Sequence, residues 1–174
     1  MALTQAEFNR MVGDHAPALY RMAYRLIGDR HEAEDLVQDT FRSAWKSRGS
    51  FREGSGHRAW LAAILRRRAV DHWRRPPPPG LTADGLGPEV GLAAEEPGRN
   101  ECSDQMQRGL EQLPADLREA LLLVVVGELT HHEAAELLGV PLGTVLSRVS
   151  RARRRLRDYL LSQQRMRSRE STEK

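Results

Sequence analysis

The chain has 174 residues, with 27 Lys/Arg against 24 Asp/Glu for a net charge of +3, and a single cysteine, Cys102. One cysteine excludes an intrachain disulfide and a cysteine-based zinc site. No apolar run approaches the roughly 20 residues of a membrane-spanning helix. The N-terminus also lacks a signal-peptide pattern, so the sequence predicts a cytoplasmic protein.

The first part of the chain shows almost continuous helical periodicity and few strand signals. We predict a helix over 16–27 that a glycine ends, and a second over about 29–47 that begins with an aspartate cap. A Gly/Ser-rich loop over 49–56 then precedes a third helix over 57–74. A run of prolines follows, which cannot continue a helix.

Residues 76–101 differ in composition, with six prolines and one arginine against five acids. This composition is typical of an extended or flexible linker. Beyond it we predict helices near 103–112 and over 114–126, then a two-helix motif. The fold class is therefore all-α, with two small helical domains joined by a flexible Pro/Gly-rich acidic linker. The predicted divisions are a domain over 1–75, a linker over 76–102, a domain over 103–162 and a frayed polar tail over 163–174.

The two-helix motif, THHEAAELLGVPLGTVLSRVSRARRRL, spans residues 130–156 and is typical of a helix-turn-helix. Thr130 and Glu133 have capping-box spacing, Ala135 suits a helix crossing and Gly139 suits a left-handed turn residue. One side of the second helix carries an apolar stripe, and the opposite side carries hydroxyl and guanidinium groups. These polar groups can bind phosphates and guanine edges in a major groove. A solvated basic face on an ordinary helical hairpin is the alternative. The agreement of cap, crossing, turn and basic face favours the DNA-binding interpretation.

The segment EAEDLVQDTF, residues 32–41, has an acidic side with Asp35 and Asp39 one helical turn apart. Three interpretations are open from these residues. A metal or acid–base site would need a third ligand or a histidine, and none completes the set. A solvated helix face and a docking surface for a basic partner are the other two.

Aromatic residues and arginines alternate in FREGSGHRAWLAAILRRRAVDHWRR, residues 51–75. Such a mixture can stack unpaired bases and hold a nucleic-acid backbone. Equally, Trp60 and Ile64 can belong to the core while the arginines are solvated. The residues alone leave both interpretations open.

Three segments in this order resemble the bacterial RNA polymerase sigma factors of the extracytoplasmic-function (ECF) type: AYRLIGDRHEAEDLVQDTFRSAW, AWLAAILRRRAVDHWRR and LPADLREALLLVVVGELTHHEAAELLGVPLGTVLSRVSRARRRL. The resemblance covers roughly residues 8–161. It implies a transcription-initiation subunit without catalytic activity, cofactor or metal. The implied partners are core RNA polymerase, through its β′ clamp and β subunits, and promoter DNA, both duplex and melted. An anti-sigma factor is a further candidate that no residue requires or excludes.

The resemblance also implies roles for particular residues. The residues implied to dock on the β′ coiled coil are Asp35, Leu36, Gln38, Asp39 and Phe41. Those implied to open and read the minus-ten element are Phe51, Arg52, His57, Arg67 and Arg74. Those implied to read the minus-thirty-five element are Thr144, Ser147, Arg148, Arg151, Arg154 and Arg155. The acidic linker would follow the RNA-exit path, and polymerase rather than mutual contact would set the span between the domains.

The chain departs from the family pattern at three places. Leu146 stands where a basic residue is common, which removes one expected DNA contact, and Arg68 stands where asparagine is frequent. His131-His132 replaces a more usual Ser-Tyr or Thr-Tyr pair. Glu136 prevents a metalloprotease H-E-x-x-H motif, so we interpret both histidines as surface residues.

Two other classes of protein are the alternatives. An autonomous operator-binding regulator would bind a palindromic duplex as a dimer, without polymerase. A nuclease or phosphotransferase would use Asp35, Asp39 and a metal, and would show metal-dependent turnover.

Overall fold

The computed structural model describes residues 3–51, 56–74 and 101–172, and the regular structure in these ranges is entirely helical. The all-α prediction is therefore confirmed. Of the predicted linker over 76–102, residues 76–100 lie outside the described residues, and the last two belong to the first turn of a helix. The helices are α1 (Gln5–Ile27), α2 (Arg30–Lys46), a short 3-10 turn (Arg48–Ser50), α3 (His57–Arg74), α4 (Glu101–Glu111), α5 (Ala115–Val125), α6 (His131–Leu138) and α7 (Leu142–Thr172).

Helix α1 begins well before the predicted residue 16. A capping box starts it: the Thr4 hydroxyl accepts from the Glu7 backbone N–H at 3.3 Å, and the Glu7 carboxylate accepts from the Thr4 N–H at 2.9 Å. Pro17 lies inside the helix, where its ring nitrogen cannot donate to the preceding turn. Burial of Phe8 and Met11, one and two turns into the helix, offsets this local cost. The predicted start was wrong because tertiary packing outweighs the proline.

The N-terminal domain consists of α1, α2 and α3 around a shared apolar core. Gly28 takes a left-handed conformation (φ +85°) at the end of α1. The Asp29 carboxylate then accepts from the Glu32 N–H at 3.0 Å and begins α2, as predicted. The fully buried side chains of this core include Met22, Val37, Leu61 and Leu65.

The C-terminal domain packs α4, α5 and α6 on α7. The capping box at Thr130 is confirmed: its hydroxyl accepts from the Glu133 N–H at 3.2 Å, while its own N–H donates to the Glu133 carboxylate at 2.8 Å. Gly139 ends α6 with φ +66°, also as predicted. Ala135 is buried between α6 and its neighbours, and Val145 of α7 is completely buried. The helix-turn-helix is therefore present with the expected turn and core.

Helix α7 continues to Thr172, ten residues beyond the predicted end of the domain. The expectation of a frayed tail over 163–174 is wrong for the described part of it. Neither glycine nor proline occurs after Gly143, and the polar residues of the last turns are mostly compatible with helix. Nothing in the local sequence therefore ends the helix near residue 162.

The two domains are in contact in the free chain. Arg66 of α3 donates to the Glu119 carboxylate of α5 at 2.6 Å, and Arg58 pairs with Glu128 at 3.0 Å. A Cβ on Gly127 would lie 3.3 Å from the Met22 sulfur, so the loop after α5 rests directly on α1. The expectation that polymerase sets the span between the domains concerns the polymerase-bound chain and stays a prediction.

Candidate protein and nucleic-acid interfaces

The acidic face of α2, defined by Asp35, Gln38 and Asp39, lies on the surface. Asp35 and Asp39 are exposed and Gln38 is half-buried. Arg42 donates to the Asp39 carboxylate at 3.0 Å and to the Gln38 side-chain oxygen at 3.4 Å. The Arg42 and Asp39 side chains are 61% and 53% exposed, so water screens this pair and an external cation can replace it.

The two apolar residues predicted for polymerase docking differ in their exposure. Leu36 is 5% exposed and packs in the core of the N-terminal domain, because the apolar stripe of α2 points inward. In this structure Leu36 is therefore too buried to contact a partner directly. Phe41 is half-buried, with its ring centroid 6.5 Å from that of Phe8. It is the more accessible of the two.

The three consecutive arginines of α3 have separate environments. Arg66 is tied to Glu119 across the domain contact. Arg68 donates through its Nε to the Ser43 hydroxyl at 3.0 Å and is half-buried. Arg67 is exposed, which fits its predicted role at the minus-ten element. Arg68, which stands where asparagine is frequent in the family, thus connects α3 to α2 within the N-terminal domain.

Phe51 is 9% exposed and forms an aromatic cluster at the start of α3. Its ring stacks on His57 at 4.7 Å and lies 5.1 Å from Trp60, both between centroids. Phe51 therefore offers no face to a base in this conformation, and Trp60 packs against it, in line with the core interpretation of this segment. Arg52 lies outside the described residues, as does the side chain of Arg74, so their predicted contacts have no structural counterpart here.

His15 of α1 adjoins this cluster, with its ring centroid 6.2 Å from that of His57. Burial lowers the pKa of His15, and the nearby Arg58 and His57 charges lower it further, while Asp14 opposes them. The surface beside the start of α3 therefore includes a titratable group, His15, that sequence reasoning missed.

The second helix of the helix-turn-helix presents a basic, hydroxyl-bearing face. Ser147, Arg151, Arg154 and Arg155 are exposed and Thr144 is half-buried. The Arg151 guanidinium donates to the Ser147 hydroxyl at 3.1 Å and to the Ser147 carbonyl at 3.3 Å. These bonds hold Arg151 along the helix toward its N-terminal turns, the part that reads bases in this motif.

Arg148 has a different environment from the other arginines of this face. Its Nε lies 3.3 Å from the Asp116 carboxylate at the start of α5, and its side chain is only 23% exposed. This pair fixes α7 against α5. Any contact of Arg148 with DNA therefore shares the guanidinium with a structural ion pair.

An apolar groove between α4, α5 and α7 was missed by sequence reasoning. It has a volume of about 530 Å³, and its lining residues include Leu110, Val125, Leu156 and Leu161, with Arg25, Arg153 and Arg157 also on it. Val125 and Leu161 are 49% and 44% exposed. The signal was present in the β-branched end of α5 and in the paired leucines 160 and 161.

The described residues contain no cluster of three or more His, Cys, Asp or Glu that could hold a metal ion. His131 and His132 lie at the first turn of α6, half-buried and exposed respectively. Within the same ranges, no helix has the length and apolar character needed to cross a membrane.

Comparison with known proteins identifies both domains. The family model for sigma-70 region 2 matches residues 11–76, and that for sigma-70 region 4 matches residues 103–156. The ECF RNA polymerase sigma factor SigW of Bacillus subtilis is 31% identical over 173 residues, covering 90% of each chain. SigE of Mycolicibacterium smegmatis is 34% identical over 160 residues, which are 88% of this chain and 61% of that protein.

Solved structures agree with these relatives. The sigma factor RpoE of Bartonella quintana, in complex with the anti-sigma factor NepR, superposes with a TM-score of 0.71 at 33% identity, covering 88% of this chain and 96% of that one. CnrH in complex with the cytosolic domain of CnrY gives a TM-score of 0.68 at 25% identity, covering 91% and 90%. The chain belongs to the ECF RNA polymerase sigma factors, subunits that bind core RNA polymerase and direct promoter-specific initiation of transcription.

Proposed function

We propose that this sigma factor docks on core polymerase through the acidic face of α2, reads the minus-ten element near Arg67, and reads the minus-thirty-five element through α7. It acts in the cytoplasm and has no catalytic activity of its own. The exposed basic face of α7, on the second helix of a helix-turn-helix, is the observation that carries this proposal.

The chemistry of α7 suits duplex DNA. A helix-turn-helix lays its second helix in the major groove, where an arginine can donate two hydrogen bonds to the O6 and N7 atoms of guanine. Arg151, held beside Ser147, has the position for such a contact. Arg154 and Arg155 lie one turn further along and supply phosphate contacts, which make the affinity fall steeply with salt.

The chemistry of the α2 face suits a basic protein surface. Complementary charges at a protein interface raise the association rate and select the partner. The exposed Arg42–Asp39 pair can open at little cost, which frees the Asp39 carboxylate for a cation of the polymerase.

Promoter binding requires the two domains to separate. The minus-ten and minus-thirty-five elements lie about 25 base pairs apart by their definition, or about 85 Å along B-form DNA. Two small domains joined by direct contact cannot reach both elements at once. We therefore assign the observed contact to the free chain, with polymerase holding the domains apart in the holoenzyme.

The apolar groove of the C-terminal domain is a surface for a protein partner. It fits the apolar face of an amphipathic helix, and its three arginines favour a helix with acidic residues along its edges. The similar RpoE structure was solved with the anti-sigma factor NepR, and that of CnrH with the cytosolic domain of CnrY. This supports an anti-sigma factor as a regulator of this chain.

No observation favours the alternative classes. A metal-dependent nuclease would need a third ligand beside Asp35 and Asp39, and the described residues place none there. An autonomous operator-binding regulator has no use for the acidic face of α2 or for the match to sigma-70 region 2.

Two variants test the separate surfaces. Reversing both charges with Asp35→Arg and Asp39→Arg should weaken binding to purified core polymerase at least tenfold while the isolated chain stays folded. Arg151→Ala should leave core binding unchanged and weaken holoenzyme binding to a minus-thirty-five duplex about tenfold, the cost of one good base contact.

Asp14→Arg is the control for core binding, because Asp14 is an exposed carboxylate on α1, outside the α2 face. Core affinity that is unchanged in the double reversal, or reduced equally in the control, would remove the docking assignment. Wild-type duplex binding by Arg151→Ala would remove the α7 assignment.

A further inference from the structure

We propose that Leu146 reads a base, by packing on the C5-methyl group of a thymine in the major groove of the minus-thirty-five element. The inference rests on the proposed DNA-reading role of α7. It replaces the expectation of a missing contact at this position with a contact of a different kind.

Leu146 is one of four exposed large apolar side chains in the described part of the chain, at 47% exposure. Val125 and Leu161 line the apolar groove, and Met166 lies in the last turns of α7. A single exposed leucine is ordinary on a protein surface. Leu146 differs by its position, since it lies in the second turn of α7, the part of the motif that enters the groove.

The residues one helical turn before and after Leu146 do not cover its side chain. One turn earlier is Gly143, where an added Cβ would meet nothing within 4 Å. One turn later is Ser150, which is exposed and short. Leu146 is also adjacent to Ser147, the residue that holds Arg151. Its side chain therefore extends from the surface of the same helix that carries the arginine we assign to a guanine.

The chemistry of leucine restricts what it can read. It has no hydrogen-bonding group, so neither a phosphate nor the donors and acceptors of a base edge can attract it. The C5-methyl of thymine is the apolar group that a base pair presents in the major groove. A leucine at this position therefore selects thymine, whereas lysine or arginine would select guanine or a phosphate.

Removal of that one methyl group provides the test. A minus-thirty-five duplex is first selected from a randomised pool by holoenzyme reconstituted with this chain, and each thymine is then replaced by deoxyuridine. We expect one replacement to weaken wild-type holoenzyme about fourfold, as for the loss of one buried methyl-sized group. Holoenzyme with Leu146→Ala should bind the thymine and deoxyuridine duplexes equally.

Two further variants complete the experiment. Leu146→Lys should also lose the thymine preference, and should steepen the slope of log affinity against log salt by about 0.9 through one added phosphate contact. Met166→Ala is the control, because it removes an exposed apolar side chain of the same helix that lies away from this position and outside the apolar groove, and it should keep the fourfold preference.

The inference is overturned if the selected duplex lacks a thymine, if no replacement by deoxyuridine matters, or if the penalty persists in Leu146→Ala. A holoenzyme that selects no minus-thirty-five sequence at all would instead refute the proposed function of α7, and this inference with it. The two failures are distinguished at the selection step.

Discussion

Gly109 shows how one residue sets the geometry of the C-terminal domain. A Cβ at this position would lie 2.6 Å from a methyl carbon of Leu156 and 3.0 Å from the ring of Tyr159. The glycine thus allows α4 to approach α7 closely. Leu156 also lines the apolar groove, so the same contact shapes the proposed partner surface.

Gly109→Ala should destabilise the chain by about 1–2 kcal/mol, because the added methyl forces Leu156 and Tyr159 to move. The measurement is the midpoint of urea unfolding at constant slope. Gly143→Ala is the matched control, as open space surrounds that glycine and alanine favours the helix. Equal stability of the Gly109→Ala variant and wild type would contradict the close approach.

His15 makes the stability of the N-terminal domain depend on pH. Its folded-state pKa is lowered, first by burial and then by Arg58 and His57. The unfolded chain therefore binds a proton more readily than the folded chain, and stability falls as pH drops below the unfolded value of 6.5. Above that pH the group is neutral in both states and has no effect.

His15→Gln should remove part of this acid sensitivity. The free energy of unfolding, measured at pH 7.5 and at pH 5.5, should decline less in the variant than in wild type. His31→Gln is the control, since His31 is exposed on α2. An identical decline in wild type and His15→Gln would show that His15 ionises normally.

At the scale of the element, caps and turns were the most predictable features. Asp29, Thr130 and Gly139 act within three or four residues of their own positions, so their spacing was sufficient to locate the ends of α2 and α6. The start of α1 and the end of α7 were not predictable in this way. Packing of Phe8 and Met11 keeps Pro17 helical, and α7 simply meets no residue that would end it.

Thr130→Ala should destabilise the chain by about 1 kcal/mol, because the Glu133 N–H loses its acceptor at the start of α6. Thermal unfolding measures this loss. Thr130→Ser retains the hydroxyl and should stay close to wild type, which separates the cap from the packing of the threonine methyl. A full loss in the serine variant would assign the effect to packing instead.

Exposed candidate residues were predictable where the exposure depends on a single helix, as for Asp35, Asp39 and Arg151. They were not predictable where another element supplies the environment. Phe51 is covered by His57 and Trp60, and Arg148 is drawn to Asp116 of α5. The apolar groove needs three helices at once, so no single periodicity could reveal it.

At the scale of the whole molecule, the contact between the two domains is partly ionic. The Arg66 and Glu119 side chains are 36% and 25% exposed, and those of Arg58 and Glu128 are 46% and 55% exposed. Glu128 also has φ +54°, a left-handed conformation that disfavours non-glycine residues. Such a contact suits a closed form that opens when a stronger partner binds. Composition could indicate a linker, but it carried no information about this contact.

Glu119→Arg should open the free chain, because it places two like charges across the domain contact. The distance between fluorophores on the two domains should increase, and the population of the open form should rise several-fold. Combining it with Arg66→Glu should restore the wild-type distance by reversing the pair. An unchanged distance in Glu119→Arg would show that the ion pair does not hold the domains together.

The central claim is that this chain directs core RNA polymerase to promoters. Transcription in vitro with purified core polymerase and a library of promoter fragments tests it most directly. The account predicts specific transcripts that require both chain and core, and that disappear when Asp35 and Asp39 are reversed. Absence of transcripts, together with specific duplex binding by the chain alone or metal-dependent turnover of DNA, would contradict it.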